Sequence, residues 1–213
     1  MAEQTGGRVI RQERAARTRA HLLQAAAEVF VEHGFAGATL TKITDRAGVT
    51  LGALYFHFRS KGDLAREIVR NQPEHITPPI DSVGLQHAVD VTLTWAHELN
   101  HNAVLLAGAR LVMEQDAFVD LAENSHQQWS RVMEEDLASA RRRRELRSTA
   151  DVEAIARLIV NSCTGAQMHS LLETGRSDLP ERIVDMWRIL LPALAAPAAV
   201  KRIELDEARG RAR

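Results

Sequence analysis

A chain of 213 residues with 45% hydrophobic content can bury one large core or two smaller ones, and its 4% aromatic content with abundant Ala, Leu, Arg and Glu favours helices over strands. The lone Cys163 excludes an intrachain disulfide and suits a reducing compartment. The formal net charge of −1 hides an asymmetry: residues 1–70 carry 11 Lys/Arg against 7 Asp/Glu and the remainder 16 against 21, which suits a basic part that meets a polyanion joined to an acidic part with another task.

The N-terminal segment lacks the apolar stretch of a signal peptide. No apolar run approaches the roughly 20 residues that span a bilayer, so a cytoplasmic protein without membrane attachment is expected. Leu22, Leu23, Ala26, Val29 and Phe30 recur at helical spacing and predict a first helix over about 12–33, stopped by Gly34. Its start carries Arg11, Arg14, Arg17 and Arg19, either an electrostatic arm along a phosphate backbone or a solvated helix end. Thr39 caps a second helix whose apolar positions are Leu40, Ile43 and Ala47, and Gly48 supplies its left-handed stop. Thr50 caps a very short third helix, Leu51 to about His57, and Ser60 with Asp63 forms a capping box for a fourth that continues to about Asn71.

Helix, glycine turn and short helix make a helix-turn-helix, whose second helix is shaped for the major groove of DNA. The candidate DNA-contacting residues are Thr39, Thr50, Leu51, Gly52, Tyr55, His57 and Lys61. The tyrosine hydroxyl and lysine ammonium are phosphate-binding groups, Leu51 offers apolar contact to a base, and Gly52 lets the backbone approach the groove floor.

Pro73 and the Pro78-Pro79 pair mark a boundary, giving expected domains over residues 1–72 and 73–213. Beyond Ser82 only helices are expected, over about 82–100, 103–115, 119–146, 151–174 and 179–196, followed by a charged tail that reads as a loose helix. His97-Glu98-Leu99-Asn100-His101 matches the HExxH zinc-protease signature, with Glu123 placed to be imagined as a third ligand. Enzymes with that motif set it beside a sheet, and no strand pattern is available here, so a chance match is the reading adopted. Neither a glycine-rich phosphate loop nor triad spacing appears. No catalytic residue, metal or cofactor is therefore expected. Arg141–Arg144 read as a solvated helix end, because four consecutive residues point all round a helix. Thr164 and Gln167 interrupt an apolar helix face and either bond their own backbone or await a ligand carbonyl or hydroxyl. Val152, Ile155, Ala156, Ile159 and Cys163 mark one apolar face of the last long helices; Ile183, Met186, Trp187, Leu190 and Leu194 mark the other. These faces pack either on their own domain or against a second subunit.

The segment AGVTLGALYFHFRSKGDLA (residues 47–65) resembles the DNA-binding domain of TetR-type repressors, and in particular that of the γ-butyrolactone autoregulator receptors of antibiotic-producing actinobacteria. Those receptors typically read VTKGALYFHF here, so Leu51 stands where Lys is usual. The resemblance continues more weakly through AGARL (107–111), Trp129, TGAQ (164–167) and DMWRILLPAL (185–194). It implies an all-α fold: an N-terminal three-helix helix-turn-helix domain plus a larger helical domain for ligand binding and dimerisation. It also implies a homodimer on palindromic operator DNA and a small-molecule effector, a γ-butyrolactone or butenolide, with target genes in secondary metabolism. Trp129 then walls the ligand pocket, with Thr164 and Gln167 as polar contacts and Gln72 reaching the pocket from the DNA-binding domain. The alternatives are a sensor of an antibiotic or other hydrophobic compound on the same fold, a helical metal-dependent hydrolase, and a dimeric helical adaptor without DNA binding.

Overall fold

The computed structural model describes the backbone of residues 3–117 and 124–211, and the side chains from Gln12 to Glu114 and from Asn124 to Arg211. Among the described residues the α-helices are α1 (Glu3–Gly37), α2 (Leu40–Ala47), α3 (Leu51–His57), α4 (Lys61–Asn71), α5 (Leu85–Glu98), α6 (Ala103–Leu111), α7 (Ser125–Arg142), α8 (Val152–Thr174), α9 (Leu179–Leu194) and α10 (Pro197–Val200). The one extended pairing among them is an isolated bridge between Leu146 and Ala195. The all-α expectation holds. Regular helix starts earlier than expected in α1 and stops earlier in α6, where a 3-10 segment follows to Ala117. The expected start of the helix at 119–146 lies outside the described residues.

The described chain divides into two compact units. The first joins the residues up to Gln72 with the segment from Asn102; the second joins Pro73–His101 with the segment after residue 123. The sequence reading put α6 with the larger domain. In the structure Val104, Ala107 and Leu111 of α6 share a core with α1 to α4, so this helix is clustered with the N-terminal unit.

In the first unit Leu22, Phe30, Ile43, Leu54, Leu64 and Ile68 are all but fully buried. α1 breaks at Gly34, whose φ of 68° is left-handed, and makes one more turn to Gly37. The carbonyls exposed by that ending are taken by cations: Arg110 on Val31, Lys42 on Gly37 at 3.0 Å, and Lys61 on Phe35 and Ala38 at 2.6 and 2.9 Å. At the other end of the unit the buried Gln72 amide lies on Gly108 of α6, where an added Cβ would sit 2.2 Å from Gln72 Cδ.

In the second unit Trp187 is fully buried and donates its indole N–H to Thr92 Oγ1 at 2.8 Å. Glu145 is buried, caps α5 by accepting from Leu85 N at 2.9 Å, and receives Arg143 Nε at 3.0 Å. The tail is not the loose helix the sequence suggested. Residues 201–211 form a strap along α5. Arg209 reaches the fully buried Asp90 carboxylate through Nε at 2.8 Å and Nη2 at 2.9 Å, and Gln86 exchanges two hydrogen bonds with the Glu204 backbone. Gly210 sits so close to α5 that a Cβ would lie 2.5 Å from the Leu93 carbonyl carbon.

Candidate nucleic-acid and effector sites

The helix-turn-helix is built by caps that are local in sequence. Thr39 Oγ1 accepts from Lys42 N and Thr50 Oγ1 from Ala53 N, each at 3.2 Å, and Gly48 takes a φ of 63° between the two helices. The expected capping box forms in a shifted version: Ser60 Oγ accepts from Asp63 N at 3.1 Å, while the Asp63 carboxylate reaches past the cap residue and accepts from Arg59 N at 3.0 Å. Leu54 is the buried anchor of α3, and Phe58, directly after it, is buried with the Arg19 guanidinium 4.9 Å from its ring centroid.

These constraints leave Thr39, Thr50, Leu51, Gly52 and Tyr55 exposed and His57 half-buried. Lys61 differs. Its ammonium is spent on the Phe35 and Ala38 carbonyls and lies 4.4 Å from the Phe35 ring centroid, so it holds α4 to the end of α1. Among the expected arm residues, Arg14 and Arg17 are exposed while Arg19 pairs with Glu67; the Arg11 side chain lies outside the described residues. Phe56 was missed by sequence reasoning. It follows Tyr55 on α3, is 80% exposed, and meets the His57 ring edge-on at 5.0 Å. An aromatic on a helix reads as core, and only the orientation fixed by Leu54 turns this one outward.

In the second unit, half-buried Trp129 lies on α7. One turn earlier His126 Nε2 meets Thr164 Oγ1 at 3.2 Å, while that hydroxyl donates to Val160 O at 3.0 Å. α7 and α8 are thus joined by a polar contact, and burial holds the His126 imidazole below its ordinary pKa. Gln128 Oε1 is buried with no hydrogen-bond partner among the described residues. Neither His126 nor Gln128 was singled out in the sequence, although the polar run His126-Gln127-Gln128 directly precedes Trp129. Gln167 is placed differently from Thr164: its carbonyl accepts Arg176 Nε at 3.2 Å, and both residues are buried. Gln72 belongs to the first unit, where its amide donates to Val69 O at 3.3 Å and covers Gly108.

His97 of the HExxH match hydrogen bonds to Glu207 O at 2.7 Å, which ties it to the strap. Among the described residues no three His, Cys, Asp or Glu side chains are grouped to hold a metal ion, and Glu123 lies outside them. No described helix is long and apolar enough to cross a membrane. The helix faces expected to pack either internally or between subunits are largely internal: Ala156, Ile159, Cys163, Ile183, Trp187 and Leu194 are buried within the second unit.

The model for bacterial regulatory proteins of the tetR family matches residues 22–68, and that for the tetracyclin repressor-like C-terminal domain matches residues 82–196. The chain is 34% identical to the A-factor receptor protein of Streptomyces griseus over 194 residues, 91% of this chain and 70% of that protein. Among solved structures it is similar to full-length native TylP, a TetR regulator from Streptomyces fradiae, with a TM-score of 0.84 and 38% identity over 92% of this chain and 95% of that one. A γ-butyrolactone receptor described as ArpA-like gives a TM-score of 0.66 and 27% identity over 92% and 97%.

Proposed function

This chain belongs to the tetR family of bacterial regulatory proteins and is a DNA-binding repressor of that type, and we propose that it works as a homodimer released from a palindromic operator by a γ-butyrolactone-like or butenolide signal, controlling genes of secondary metabolism. The observation that carries the effector half is the polar edge of α7: a half-buried indole follows Gln128, whose buried side-chain oxygen has no partner among the described residues. A buried acceptor left unmatched is costly, and a ligand hydroxyl satisfies it while the indole walls the apolar remainder. The similarity to an A-factor receptor protein supports this ligand class. No catalytic step, metal or cofactor enters this reading.

The dimer rests on α8. Leu158, Met168, Leu171 and Leu172 remain exposed there, as does Ile189 on α9. Positions 158, 161, 165, 168 and 172 follow a 3-4-3-4 spacing, a single seam along the helix. At its centre Gly165 has no atom within 4 Å of an added Cβ. A helix-interior glycine that nothing in its own chain requires suits close approach by a second helix. Pairing of two subunits also supplies the second recognition helix that a palindrome needs. Effector binding then shifts the population away from the DNA-competent arrangement, by no more than its difference in affinity for the two states. Chain order supports a route: α6 clusters with the DNA-binding helices, yet both flanking segments belong to the second unit.

The test is a gel shift on a duplex selected by the protein, titrated with synthetic γ-butyrolactones and with a panel of hydrophobic antibiotics. Release by a butyrolactone at low concentration is expected. Release only by an antibiotic would replace this reading with that of a sensor for another hydrophobic compound.

A further inference from the structure

The exposed arc of α3 has an unusual chemistry for a surface that must read DNA. At 100° per residue Leu51, Tyr55, Gly52 and Phe56 occupy about 140° of the helix circumference. Leu51 is 42% exposed, Tyr55 52% and Phe56 80%, whereas Leu54 on the opposite side is fully buried. No side chain in this arc is charged or carries an amide, and the Tyr55 hydroxyl is its single hydrogen-bonding group. The pairings that identify guanine and adenine, bidentate Arg or Lys on guanine and Asn or Gln on adenine, have no provider here. A contiguous exposed patch of large apolar side chains marks a binding surface, and the apolar feature of the major groove edge is the thymine C5 methyl. Gly52 fits the same partner. An added Cβ there would find only Thr50 Oγ1, at 3.9 Å, so no contact within the chain calls for glycine. Its absence of a side chain leaves a notch among Leu51, Tyr55 and Phe56.

We propose that α3 reads its operator by apolar contact with thymine methyl groups, through Leu51 and Phe56 on either side of the Gly52 notch. The excess of cations in residues 1–70 supplies attraction to phosphate without sequence information, while discrimination comes from methyl burial. The inference rests on the chain being a DNA-binding repressor and names what that surface recognises.

The experiment begins with selection from a random duplex library by the full chain, then replaces thymines of the selected duplex one at a time by deoxyuridine. That exchange removes the methyl and leaves every hydrogen-bonding group in place. At contacted positions affinity should fall about fourfold per methyl, as burial of one such group is worth, and about fifteenfold when both half-sites are changed. Uridine at flanking positions serves as the control and should change nothing. Phe56→Ala and Leu51→Ala should each bind the thymine duplex less well and lose part of the discrimination against uridine. Leu51→Lys should move the selected sequence toward guanine at one symmetric position. Equal affinity for thymine and uridine duplexes at every position would overturn the proposal, as would selected half-sites lacking thymine on both strands. Both results leave DNA binding intact, whereas a selection that enriches no duplex overturns the DNA-binding reading and this inference with it.

Discussion

At Lys61 two roles for one ammonium group lead to different outcomes. A phosphate contact predicts that Lys61→Ala flattens the salt dependence of operator binding at unchanged stability. The contacts to Phe35 and Ala38 predict instead a loss of about 1.5–3 kcal/mol of stability, the worth of charged hydrogen bonds, with the salt slope retained. We expect the second result; a melting curve beside a salt titration decides. Trp129→Ala should leave operator binding intact and abolish release by effector, with Trp129→Phe responding only at higher concentration. A core tryptophan would behave otherwise, its truncation costing about 3–5 kcal/mol and lowering stability and DNA binding together. His126 adds a pH dependence of known sign. Its folded-state pKa lies below the ordinary 6.5, so the stability it contributes is present above that value and is lost on acidification through the folded pKa. His126→Gln should flatten the decline in melting temperature below pH 6.5; an unchanged acid limb would place the titrating group elsewhere. The caps of Thr39, Thr50 and Ser60 were legible in the sequence because each partner lies three residues away. The partners of Lys61 and Gln167 were not, since Phe35 is 26 residues from Lys61 and the Gln167–Arg176 pair needs the turn after α8 to fold back.

The seam of α8 separates two demands on one helix. Hydrophobic periodicity finds an apolar face, but a helix that is core on one side and interface on another carries two, and the pattern alone assigns the stronger to either. Here the better-marked face, with Ala156, Ile159 and Cys163, is core. The outer seam is interrupted by Asn161 and Gly165 and is weaker in sequence. Gly165→Ala should raise the stability of the single subunit by roughly 0.5–1 kcal/mol from helix propensity while weakening dimerisation. Gly165→Arg should yield a monomer that no longer shifts a palindromic duplex. Sedimentation of both variants is the measurement. A Gly165→Arg protein that remains dimeric would move the interface away from this seam.

For the molecule as a whole, the strap over α5 joins residues 119 positions apart through a pair whose carboxylate is fully buried. Breaking such a pair from one side leaves an uncompensated charge. Arg209→Ala should therefore cost about 3–5 kcal/mol, whereas Asp90→Leu with Arg209→Met should restore most of it. Cys163 reports the outcome. It is buried, and burial pushes its thiol up to about 12, so reagents that need thiolate find almost none at neutral pH in the folded chain. Labelling should proceed only through opening of the second unit. Arg209→Ala should accelerate it by about a hundredfold or more, with the double variant close to the parent. Equal labelling rates would mean that the strap opens apart from the core.

Gln72 and Gly108 are 36 places apart in the chain, yet they share a single volume: the amide of one fills the space that any side chain on the other would need. The two positions are therefore not free to drift separately. A lineage that acquires alanine at 108 must first, or at once, shorten residue 72, and its descendants will carry the two changes together. A library randomised at both codons and selected for repression should return that correlation, with glycine at 108 wherever glutamine persists at 72.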